Sequence, residues 1–84
     1  MTDNYIKIIK GGYIKAYLNY YLDLKFLTVT PFDWGYNIEA KTRLNDITII
    51  ITIENDNRQI EELCDIAMTK IKTEILNQYI NPHL

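Results

Sequence analysis

Between residues 36 and 54 the chain alternates so strictly that a pair of strands is the structure able to use it. Tyr36, Ile38, Ala40, Thr42 and Leu44 interleave with Asn37, Glu39, Lys41 and Arg43. A period of two places the first set on one face of a strand and leaves the second set in water. Asn45 and Asp46 follow as turn residues. Ile47, Ile49, Ile51 and Ile53 then interleave with Thr48, Ile50, Thr52 and Glu54. Side chains branched at Cβ pack well on a pleated surface and are stiff in a helix. The spacing predicts an antiparallel hairpin with strands at about 36–44 and 47–54.

Two further elements extend this hairpin. Upstream, Leu22, Leu24 and Phe26 interleave with Asp23, Lys25 and Leu27, which predicts a strand at about 20–30, with a helix as its competitor. Pro31 cannot donate to a ladder and is expected to end it. Pro31-Phe32-Asp33-Trp34-Gly35 then reads as a turn. Downstream, Ile60, Leu63, Cys64, Ala67, Ile71 and Ile75 fall on one stripe at helical spacing. A helix over about 57–79 is expected, with Asp56 as N-cap and Gln59 closing a capping box. Glu61, Glu62 and Asp65 near its start and Lys70 and Lys72 further on suit the helix dipole. Asn81-Pro82 lies just past its end.

The first third is ambiguous. Gly11-Gly12 splits it, and glycine is costly inside a helix. Residues 5–10 and 13–18 form either a hairpin about that pair or helical segments, and Ile14, Leu18 and Tyr21 fit helical spacing. Helix is preferred for at least part of residues 3–18. The expected fold is α+β: a three-stranded antiparallel meander packed by a C-terminal helix, with the N-terminal segment helical or a hairpin. At 84 residues the expectation is a single domain over 1–84.

Composition narrows the function classes. Hydrophobic residues make up 48% of the chain and charged residues 24%, the balance of a globular protein that is not disordered. The net charge is −2, and it is unevenly spread. Residues 1–30 carry four Lys and two Asp, whereas residues 31–84 carry five Lys or Arg against nine acids. An acidic C-terminal part argues against a nucleic-acid grip over the whole domain. Fifteen Ile and eight Asn against three Ala point to an AT-rich coding genome. The apolar runs are far short of a membrane span, and the polar Thr2-Asp3-Asn4 start is unlike a signal peptide. A cytoplasmic protein is expected.

The inventory of reactive groups is thin. His83 is the one histidine and stands next to the C-terminus, and there is no serine. Cys64 is the one cysteine and falls within the apolar stripe, where packing is its expected role. Glu61, Glu62 and Asp65 are spaced as a solvated helix flank, and Gly11-Gly12 lacks the spacing of a phosphate-binding loop. We expect no enzyme activity, no metal and no cofactor.

Two features stand above this background. Phe32, Trp34 and Tyr36 put three aromatics in five residues, and such side chains give large contact area with few torsions to freeze. With the acidic flank Glu61, Glu62 and Asp65, they make the candidate partner-binding set. The second feature is the Tyr/Lys-rich start, with Lys7, Lys10, Tyr13, Lys15 and Tyr17 as candidate nucleic-acid contacts. A strand at 47–54 on the edge of a meander is an association hazard that the N-terminal segment, a helix or a second copy must cover, and a homodimer is the expectation.

The leading expectation is a protein-binding inhibitor or adaptor, in type like a small phage or mobile-element accessory protein that blocks a host protein. The alternatives are a nucleic-acid-binding accessory protein and a structural subunit that assembles through a strand edge.

Overall fold

A computed structural model describes residues 2–54 and 57–80. Their order is α1 (Thr2–Tyr21), β1 (Leu24–Phe32), β2 (Gly35–Thr42), β3 (Thr48–Glu54) and α2 (Ile60–Ile80). The strands form one antiparallel sheet in the order β1-β2-β3. Alternation in the hairpin holds: Tyr36, Ile38, Ala40 and Thr42 are buried, as are Ile49, Ile51 and Ile53. Leu44, expected on the buried face, lies beyond β2 and is exposed. In the β2–β3 turn Asn45 and Asp46 adopt positive φ, a conformation their short polar side chains tolerate. Thr42 anchors the turn through its hydroxyl, which donates to the Leu44 carbonyl at 2.7 Å and accepts from the Ile47 amide at 2.9 Å.

Strand β1 begins later than its alternation suggested, because Tyr20 and Tyr21 belong to α1. It also changes phase. Leu24 pairs with Thr42 but Phe26 pairs with Lys41, so Lys25 is an extra residue in a bulge. Leu24 and Leu27 consequently point inward and Phe26 turns outward, where it is half exposed. Pro31 does not end the strand. It sits opposite Tyr36 on an edge strand, where its missing N–H costs no ladder bond.

The N-terminal ambiguity resolves to one continuous helix. Gly11 and Gly12 lie in its middle instead of forming a turn. The reason is the close approach of α1 to the sheet. A Cβ on Gly11 would stand 3.3 Å from Tyr36 Cε1 and 3.7 Å from Val29 Cγ1, whereas Gly12 has nothing within 4 Å. Ile14 and Leu18, one and two turns on, are fully buried, while Tyr21 is exposed. Packing of this face offsets the intrinsic cost of glycine.

Helix α2 buries the expected stripe: Leu63, Cys64, Ala67 and Ile71 are core residues, with Ile60 and Ile75 packed against them. Its start falls three residues later than the spacing suggested. The Gln59 carbonyl accepts from the Leu63 amide at 3.1 Å, which makes Gln59 the N-cap and not the third helical residue that a capping box at Asp56 requires. Asp56 itself, with His83 and Asn81-Pro82, lies outside the described residues. Asn57 has positive φ, so the chain turns sharply before the helix. The buried sides of the strands and the two helices share one core, leaving Phe26, Thr30, Glu39, Thr48, Ile50 and Thr52 on an open face of the sheet.

Candidate functional site

The β1–β2 connection is a two-residue turn of Asp33 and Trp34, since Phe32 pairs with Gly35. Lys7 of α1 clamps it, donating from Nζ to the Phe32 and Asp33 carbonyls. Phe32 and Trp34 stack at 5.5 Å with their planes 6° apart, both about half exposed. Tyr36 leaves this group. The side-chain alternation that turns Phe32 outward turns Tyr36 into the core, where it is wholly buried and its hydroxyl donates to the Lys7 carbonyl at 3.0 Å. Burial raises the Tyr36 phenol above its ordinary pKa. A partner can reach Phe32 and Trp34 but not Tyr36.

The acidic flank lies elsewhere, beside a groove between the helices. Ile6, Ile9, Lys10 and Tyr13 on α1 face residues 57–61 across a hollow of about 500 Å³. A second hollow of about 300 Å³ shares Tyr13, Ile60 and Glu61 and continues to Tyr17, Cys64 and Asp65. Ile6, Ile9 and Tyr13 are 44–63% exposed, so the groove presents apolar side chains to water. One wall is tied to the other by Lys10, which donates to the Arg58 carbonyl at 3.1 Å. Arg58 also stands 3.6 Å from Glu62 one turn on. Of the acidic candidates, Glu61 and Asp65 line the groove and Glu62 is held in that ion pair.

Two titratable groups here, Tyr17 and Cys64, are shifted upward. Burial first, then the Asp65 carboxylate, raise the Tyr17 phenol. Burial, then Asp65 and Glu61, raise the Cys64 thiol. Both groups therefore stay protonated at neutral pH, and a protonated thiol is a poor nucleophile. Among the described residues no cluster of His, Cys, Asp and Glu is placed to hold a metal ion. No described helix is long and apolar enough to cross a membrane.

The Tyr/Lys set is divided by the fold. Lys7 and Lys10 spend their ammonium groups on backbone carbonyls, and Lys15 is exposed. Tyr13 and Tyr17 open onto the groove beside Glu61 and Asp65. Sequence reasoning missed Ile6 and Ile9 as surface residues, and Ile60, on the expected stripe, is only partly buried. A signal was present: Ile6, Ile9, Tyr13 and Tyr17 form a second apolar stripe, displaced from Ile14 and Leu18, once α1 is taken as continuous. Compared with known proteins, the chain matches no family model, no curated protein and no solved structure.

Proposed function

We propose that this is a non-catalytic protein-binding module, of inhibitor or adaptor type, that receives an amphipathic helix of another protein in the α1–α2 groove. The observation that carries the reading is the exposed apolar wall of Ile6, Ile9 and Tyr13 facing Ile60. Small monomers rarely leave such side chains contiguous in water without a use for them. A groove between two helices takes the apolar anchors of a third, spaced at three and four residues. Glu61 and Asp65 on the rim favour a partner with Lys or Arg beside its anchors.

The same carboxylates weigh against a nucleic acid, whose phosphates they repel, and two of the nearby lysines are already engaged. The stacked Phe32–Trp34 pair is a second, separate apolar surface on the open side of the sheet. The test is differential capture from a lysate of the native host with wild type, Ile9→Asp and Trp34→Ala, each checked by circular dichroism. The expected result is a protein retained by wild type and Trp34→Ala and lost with Ile9→Asp. Loss with Trp34→Ala alone would transfer the site to the aromatic pair.

A further inference from the structure

Strand β3 is an edge of the sheet, and its outer side is only partly covered. Ile49, Ile51 and Ile53 pair with Ala40, Ile38 and Tyr36. The Thr42 amide bonds the Ile47 carbonyl at 2.9 Å, so the polar groups of residues 47, 49, 51 and 53 point toward β2. Those of Thr48, Ile50 and Thr52 therefore point to the free edge. Two of the edge carbonyls are capped from α2: Lys70 Nζ donates to Thr52 and Gln78 Nε2 donates to Thr48, each at 2.8 Å. Between them Ile50 is 63% exposed. A hollow of about 400 Å³ along this edge is lined by Ile50, Thr52, Thr69, Lys70 and Thr73.

The edge sequence is a palindrome. Ile47-Thr48-Ile49-Ile50-Ile51-Thr52-Ile53 reads the same in both directions about Ile50. Antiparallel pairing of a strand with its own copy reverses the sequence. A palindrome therefore brings like residues together, with Thr48 opposite Thr52 and Ile49 opposite Ile51. Its centre falls on a residue whose N–H and C=O face outward, the requirement for a hydrogen-bonded pair on the two-fold axis.

We infer that the free edge of β3 pairs with β3 of a second copy about a two-fold axis at Ile50, joining two three-stranded sheets into one. Threonine opposite threonine and isoleucine opposite isoleucine are favourable cross-strand pairs. Asp46 falls opposite Glu54 of the second copy, a like-charge meeting that ends the ladder where the palindrome ends. Lys70 and Gln78 compete with the second copy for the Thr52 and Thr48 carbonyls, which makes association concentration-dependent. This surface is separate from the α1–α2 groove, so neither proposal depends on the other.

Sedimentation and disulfide trapping test the geometry. Wild type is expected to dimerise at tens of micromolar. Ile50→Pro is expected to be monomeric, since it removes the central outward N–H without breaking a β2–β3 bond. Lys70→Ala, by freeing one carbonyl, is expected to tighten association about tenfold. Residues facing each other in a hydrogen-bonded pair have Cα atoms about 5.5 Å apart, within disulfide reach. Ile50→Cys should therefore cross-link on oxidation. Thr52→Cys should not, because the two copies of residue 52 lie about 14 Å apart along the strands. A wild type that stays monomeric at 200 micromolar (roughly tenfold above the expected range) overturns the inference. So does a dimer that survives Ile50→Pro, or a Thr52→Cys cross-link as efficient as that of Ile50→Cys.

Discussion

The two helices are nearly equal in length and differ in how much of their apolar surface they bury. Helix α2 puts most of its apolar residues on one stripe that the sheet and α1 cover, leaving Leu76 and Tyr79 exposed near its end. Helix α1 buries Gly11, Ile14 and Leu18 against the sheet yet leaves Tyr5, Ile6, Ile8, Ile9 and Tyr13 exposed. Helix α2 packs mainly on the core, whereas α1 also presents an apolar surface along its first half. A helix can bury roughly one stripe against a two-layer core, so apolar residues beyond that stripe are free for something else.

Substitution of one apolar residue in each helix should separate these roles most clearly. Leu63→Ala in α2 is expected to cost about 2–5 kcal/mol, because it empties a fully buried site. Ile9→Ala in α1 should stay within about 1 kcal/mol of wild type. Urea titration of both variants measures the gap, and equal losses would show that α1 is no freer than α2.

The glycine pair sharpens the contrast within α1 itself. Gly12→Ala should gain about 1 kcal/mol of helix propensity in open space. At Gly11 the same methyl group presses on a Tyr36 ring that its hydroxyl bond holds in place. The two variants should therefore differ by about 1–2 kcal/mol in thermal unfolding, with Gly11→Ala the weaker.

The smallest effect concerns the link between α1 and the sheet. Tyr36→Phe removes the bond to the Lys7 carbonyl and should cost about 1 kcal/mol at neutral pH. Burial raises the Tyr36 pKa in the folded state above its unfolded value of about 10. Folding thus favours the protonated phenol. That contribution is fully present below about pH 10 and is lost as pH rises through the folded value. Tyr36→Phe should accordingly lose less stability than wild type between neutral pH and about pH 11, in parallel denaturant titrations.

Legibility in the sequence followed the strength of local patterning. The hairpin at 36–54 and the α2 stripe were readable because their periods are clean and their faces each meet one neighbour. Strand β1 is readable as a strand but not in phase, since the bulge at Lys25 moves the residues after it, Phe26 onward, to the opposite faces from those the alternation predicts. The candidate site was legible only in part. Of the aromatic cluster that composition marks, Phe32 and Trp34 stack at the surface, whereas strand alternation turns Tyr36 to the buried face. The groove residues Ile6 and Ile9 fall on a stripe only when residues 2–21 form one continuous helix, which the Gly11-Gly12 pair obscures in the sequence.

By itself the sequence determined the α+β class, the strand pair and the helical stripe, because these depend on periodicity and on side-chain shape at each position. Tertiary structure decided what the glycine pair is, where Tyr36 points and which α1 side chains face water. Those outcomes depend on how closely α1 approaches the sheet. That distance is set by Gly11 meeting the Tyr36 ring at 3.3 Å from where a Cβ would stand, a contact between residues far apart in the chain that no local pattern encodes.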